Sequence, residues 1–186
     1  MTNYPQLAKV NDRKYKINTD YKIAIKCDEI ARSDVSEEER SLAILYLLFG
    51  EKALDNPQDW VELLNISMKY LRCGKKAENS DEKEANMSFI QDKGYIEASF
   101  FSDYNIDLAS TDMHYWKFYN LLCGLTEDCV LNRVRFVRDY DISQIKDAKE
   151  KEKWIKQKEQ VALKKEKTSE EKRLDELFEK QLQKGE

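Results

Sequence analysis

The apolar positions of this chain fall into two rhythms, a short alternation at the start and a helical period for the rest. Leu7, Ala8 and Val10 precede the turn-prone pair Asn11-Asp12, and Tyr15 and Ile17 follow with strand-like alternation. This predicts a small N-terminal β-hairpin, which needs a helical body to lie on because an isolated hairpin is marginal in water. From Asp20 the period changes. Tyr21, Ile23, Ala24, Cys27, Ile30 and Ala31 recur at threes and fours, with Thr19 or Asp20 as cap. Ser36 and Glu39 have the spacing of a capping box, and the apolar run Leu42 to Phe49 that follows stops at Gly50. Asn56-Pro57 is read as opening the next helix with Pro57 at its first position; Trp60, Val61, Leu64, Met68 and Leu71 form its inner face, and Gly74 ends it.

Residues 75–87 contain almost nothing to bury and read as a solvated connector between two subdomains. An aromatic centre follows. Ile96, Phe100 and Tyr104 share a helical stripe, widened by Ala98 and Phe101. After a short link, Thr111 or Asp112 is expected to cap a helix with Tyr115, Phe118, Tyr119 and Leu122 on one face and Trp116 and Cys123 on its flank, closed by Gly124. A helix this apolar belongs inside the protein. Thr126 is then expected to open a short helix through Cys129, Val130, Val134 and Val137, with Arg133, Arg135 and Arg138 interleaved.

From Ser143 to Glu186 the pattern changes again, with 13 basic and 11 acidic residues and no proline. Acid-to-base pairs at i, i+4, such as Asp147 with Lys151 and Glu152 with Lys156, favour helix. A second capping box at Thr168 and Glu171 offers a break near Thr168-Ser169. A coiled-coil seam fails, because the register with Trp154 and Val161 at one position puts Lys151, Lys158 and Lys165 at the other. The apolar residues form islands instead: Trp154, Ile155, Val161 and Leu163, then Leu174, Leu177, Phe178 and Leu182. These eight are the candidate partner-binding residues, since such a face on a charged helix needs something to lie against. Folding back on the body is the competing reading.

The pattern therefore predicts a mainly all-α protein: a helical body over residues 1–142 with a small hairpin, and a charged helical extension over 143–186. Composition agrees. Only 5 Gly and 2 Pro disfavour a turn-rich β-fold, and a charged fraction of 37% fits a modest core with a charged extension. A net charge of −4 opposes a protein living on phosphate backbones, so no nucleic-acid partner is expected despite the three arginines. No apolar run approaches a membrane span, and no membrane partner or leader is expected. The 4 cysteines lack metal-site spacing and are read as reduced structural thiols of a cytoplasmic protein.

Catalytic templates fail in turn. No glycine-rich phosphate loop exists, and the single histidine, His114, would have to serve any Cys-His or metal scheme alone. It reads as a packed or helix-end residue. Asp103, Asp107, Asp139 and Asp141 read as caps at helix ends and turns rather than as acid-base or metal carboxylates. The chain is expected to be no enzyme and to need no cofactor.

One combination of motifs is more specific. Asp92 ahead of an aromatic helix, Tyr104-x-Ile106-Asp107-Leu108, Met113-His114-Tyr115-Trp116-Lys117-Phe118, and Arg135-x-x-Arg138 follow one another in order. With Tyr15-x-Ile17-x-Thr19-Asp20-Tyr21 near the start, the series resembles the gene-product-fifteen family of tailed phages and prophages of Gram-positive bacteria. The resemblance spans most of Leu7 to Tyr140. It departs at Tyr21-Lys22, where the family's opening has an arginine, which weakens any role for that position. It implies a helical protein encoded ahead of the tape-measure gene, a tail assembly chaperone acting in the host cytoplasm during virion assembly. Its implied partners are the tape-measure protein or tail proteins, with a homo-oligomer left open. The alternative is a structural tail or connector subunit of the particle. The family supplies no catalytic residues.

Overall fold

A computed structural model describes residues 4–76 and 86–164. It shows a mainly all-α protein: among the described residues, eight α-helices and one two-stranded hairpin. Strands β1 (Leu7–Val10) and β2 (Arg13–Lys16) pair antiparallel, with Val10 opposite Arg13. Asn11 and Asp12 take positive φ of 44° and 64°, the conformation a two-residue hairpin turn with the right twist requires and which Asn and Asp tolerate best after glycine. Alternate residues Ala8, Val10, Tyr15 and Ile17 point inward and are buried.

Helices α1 (Tyr21–Arg32) and α2 (Glu37–Phe49) follow. Asp20 caps α1 by accepting from the Lys22 amide, and the expected Ser36–Glu39 box caps α2. Gly50 does stop α2, but the chain then makes one further helical turn, α3 (Glu51–Leu54). Pro57 opens a single 3-10 turn over Pro57–Asp59, and α4 begins only at Trp60 and ends at Leu71. That changes its face. Leu63, Ser67 and Tyr70 are buried, whereas Val61 and Met68, expected inside, are exposed. The cause is Asp59, fully buried at the head of α4, which holds the hairpin by accepting from Asn11 Nδ2, the Arg13 guanidinium and the Tyr15 hydroxyl. This anchor fastens the hairpin to the head of α4, which packs against both β1 and α2.

Of the expected 75–87 connector, residues 77–85 lie outside the described residues. Helix α5 (Lys93–Tyr104) buries Ile96, Ser99 and Phe100; Ala98 and Phe101, expected to widen its apolar stripe, face outward. Ser99 takes the place they were given, its hydroxyl donating to the Tyr95 carbonyl and accepting from the Leu131 amide. Helix α6 (Tyr115–Cys123) runs through the centre. Phe118 is fully buried between the Tyr21 ring, at 4.6 Å, and the Phe100 ring, at 5.2 Å, both stacked.

The cap of α6 is not Thr111 or Asp112 but His114. Backbone bonds from Tyr21 to Met113 and from Tyr115 to Thr19 zip this segment against the start of α1 in extended form, delaying the helix until Tyr115. Helix α7 (Val130–Asp139) likewise starts later than Thr126, with Cys129 as cap. Thr126 instead donates both its amide and its hydroxyl to Asp103 at the end of α5, at 2.8 and 2.9 Å. The last described helix, α8 (Ala148–Val161), lies against α7. The buried apolar cluster runs without a break from Ala8 in β1 to Leu131 in α7.

Candidate partner-binding surface

His114, Asp103, Asp107 and Asp141 each make structural hydrogen bonds. His114 Nδ1 accepts from the Trp116 amide at 3.1 Å, so Nε2 carries the proton and meets the Pro5 carbonyl at 3.1 Å. Its ring stacks on Tyr4 at 4.9 Å. Asp103 takes the Thr126 donors, Asp107 accepts from the Ala109 amide and Ser110 hydroxyl, and Asp141 accepts from the Ser143 amide. These bonds favour the ionised carboxylate and hold all three groups below the usual aspartate range. Among the described residues no group of three or more His, Cys, Asp or Glu could hold a metal ion. No helix among them is long and apolar enough to cross a membrane. All four thiols are unpaired; burial pushes that of Cys27 up to about 12 and that of Cys73 up to about 11.

The arginine triad is dispersed rather than gathered into one basic face. Arg138 has a side chain only 10% exposed and makes two 2.7 Å bonds to Asp92, itself 1% exposed. The same guanidinium donates to the Asn86 carbonyl at 2.9 Å and, through Nε, to the Val161 carbonyl at 2.6 Å. Arg135 bonds Asn86 and Asn132, and Arg133 is exposed. Asp92 and Arg138 thus unite the head of α5, the end of α7 and the end of α8.

The candidate surface is built on this junction. Helix α8 has no buried residue. It is held by Arg138 at its end, by Lys158 Nζ donating to the Tyr140 carbonyl at 2.7 Å, and by Trp154 stacked on Tyr140 with ring centroids 4.0 Å apart. Just beyond it, the Gln91 side-chain amide and the Lys164 backbone exchange two 2.8 Å bonds. Between α7 and α8 lies an open groove of about 910 Å³ with Phe136, Val137 and Trp154 among its walls and Arg133, Glu150 and Lys153 at its margins. Phe136 is 60% exposed and Ile155 39% exposed.

Of the eight residues expected to bind a partner, Trp154 lines the groove, and Ile155 is exposed on the same helix but outside the groove wall. Trp154 has one ring face committed to Tyr140, and Ile155 is turned outward. Val161 and Leu163 are half-buried where the chain returns to the body. Leu174, Leu177, Phe178 and Leu182 lie outside the described residues, as does the Thr168–Glu171 box. Phe136 is not one of those eight, although its sequence position carries the signal: Leu131 and Val134 fix the inner face of α7, and a residue two positions past Val134 falls on the opposite side.

A family model described as Bacteriophage Gp15 protein matches residues 3–163. The match runs beyond the resemblance seen in the sequence, which faded after Tyr140, and takes in all of α8. No curated protein and no solved structure matches the chain.

Proposed function

Because the chain belongs to the bacteriophage Gp15 protein family, we propose that it is a non-catalytic, chaperone-like helper of phage tail assembly, binding the tape-measure protein or tail components in the host cytoplasm. The observation that carries this reading is α8. It is a charged helix with no buried residue and with Ile155 exposed, fastened by one aromatic stack and a few hydrogen bonds beside an open groove that has exposed Phe136 in its wall. Such a groove suits an amphipathic helix, whose apolar stripe it would cover while charged flanks stay wet. A tape measure is a long helical chain with apolar faces that must stay soluble until tube subunits enclose it. Modest contacts repeated along it retain it and still permit release.

The test is co-expression with the tape-measure protein of the same phage. The tape measure becomes soluble and co-purifies with this chain, and Ile155→Glu with Phe136→Glu reduces the recovered complex. If the tape measure is equally insoluble with and without this chain, the reading fails. Purified particles separate it from the alternative, because a chaperone is absent from them and a tail or connector subunit is present in stoichiometric amount.

A further inference from the structure

A second apolar recess, distinct from the α7–α8 groove, lies between α1, α5 and the segment leading into α5. It measures about 420 Å³, and Ile25, Phe89, Ile96, Leu108 and Phe118 contribute apolar walls. Ile90 stands at its mouth, 42% exposed. Lys22, Lys26 and Lys93 rim it against a single acid, Glu97. Lys22 meets Asp112 at 3.5 Å and Lys93 meets Glu97 at 3.8 Å, while among the described residues Lys26 has no ion pair. The recess therefore asks for an apolar insert carried on an acidic segment.

The chain supplies one nearby. The last described residue, Lys164, is bonded on both its amide and its carbonyl to the side chain of Gln91, the immediate neighbour of Ile90. Residues 165–186 continue from that point. They hold Leu174, Leu177, Phe178 and Leu182 at the spacing of one helical face, and Glu170 to Glu179 contains five acidic and two basic residues. Leu174 lies ten positions beyond Lys164, a span of roughly 15 Å if helical and roughly 33 Å if extended. Either suffices for a recess whose mouth adjoins the tether point. A tether this short holds its own segment at an effective concentration on the order of millimolar, which a weak contact can use.

We infer that the recess between α1 and α5 is the docking site of this chain's own residues 165–186, with Leu174, Leu177 and Phe178 inserted and their acidic neighbours facing Lys22, Lys26 and Lys93. The contact is made within one molecule. It does not rest on the tail-assembly reading and stands whatever the partner.

The test uses the full chain with the photo-crosslinking amino acid p-benzoylphenylalanine in place of Phe178, irradiated as a dilute mixture of isotopically light and heavy copies. The expected products join position 178 to residues 89–97 or 22–26, light to light and heavy to heavy only. Ile90→Asp lowers their yield roughly tenfold by setting a charge at the apolar mouth. Lys26→Glu lowers it by a few-fold, in line with one exposed charge pair. Both positions are exposed, and unchanged far-ultraviolet circular dichroism establishes that the variants fold. Mixed light–heavy products would assign the recess to a second copy and overturn the inference. Crosslinks elsewhere on the body, none at all, or yields indifferent to Ile90→Asp would also overturn it.

Discussion

The Asp92–Arg138 pair offers the sharpest perturbation of this fold. Asp92 is 1% exposed and accepts two charge-assisted bonds from Arg138 and one, at 3.0 Å, from the Ser88 amide. Arg138→Met removes both guanidinium donors and leaves the carboxylate with Ser88 alone. An uncompensated buried charge of this kind costs about 3–5 kcal/mol. Two further bonds, to the Asn86 and Val161 carbonyls, are lost with it. Asp92→Asn is milder, because the amide oxygen can keep the Ser88 bond and Arg138 retains its carbonyl partners and some hydration; about 2–3 kcal/mol is expected, the range for losing a charged hydrogen-bond partner. For a chain of this size each kcal/mol lowers the melting midpoint by about 2–4 °C. Asp92→Asn should therefore melt roughly 4–12 °C below the parent, and Arg138→Met lower still. Urea unfolding followed by circular dichroism gives the free energies, and the double variant gives the coupling. If the pair is held as described, the double variant loses at least about 1.5 kcal/mol less than the two single losses added together. Single losses under about 1 kcal/mol, or strictly additive ones, would refute the buried-pair argument.

Three other outcomes follow. Gly50 has φ +73° and ψ −170°, a region nearly reserved for glycine, so Gly50→Ala costs about 1–3 kcal/mol although its new methyl meets nothing within 4 Å; Gly94→Ala, inside α5 and equally unobstructed, stabilises by about 0.5–1 kcal/mol. Equal effects in urea unfolding would contradict this. The Tyr15 hydroxyl and the Asn11 amide hold the Asp59 carboxyl below the ordinary aspartate value, so its stabilising contribution is full above about pH 4 and is lost as pH falls through the depressed folded value. Asp59→Asn should melt well below the parent at pH 6 and approach it at lower pH, whereas a gap constant with pH would refute the ionised role. Finally, a thiol reagent applied to the native protein should modify exposed Cys123 first and buried Cys27 only on unfolding; rapid native labelling of Cys27, read by mass spectrometry of peptides, would contradict its burial.

What could be read from the sequence was local. The Asn11-Asp12 turn, the Ser36–Glu39 box, the Gly50 stop and the burial of Phe118 each depend on residues a few positions apart or on a strong apolar run. The errors arose where a distant partner decided. On α4 the expected Trp60, Leu64 and Leu71 do pack on the core while Val61 and Met68 do not, because apolar counting gives no weight to Asp59 and Ser67, both fully buried. The start of α6 was misplaced because extended pairing with Thr19 and Tyr21 competes with the nearer caps Thr111 and Asp112. Asp92 and Arg138 were noticed as motif residues, yet 46 positions separate them and nothing local says that they meet. The candidate surface was legible only in part. The apolar islands on a charged helix draw the eye to Trp154 and Ile155, but the stack on Tyr140 and the groove beside Phe136 exist only once α8 is set against α7.

The proposed function requires the α7–α8 surface to receive a helical partner in tail assembly. Hydrogen exchange on the complex co-purified with the tape-measure protein, compared with the chain alone, tests it most directly. The amides of Val130–Asp139 and Ala148–Val161 should exchange more slowly in the complex, with β1 and β2 unchanged. Slowed exchange confined to other elements, with α8 as fast as in the free chain, would contradict the claim.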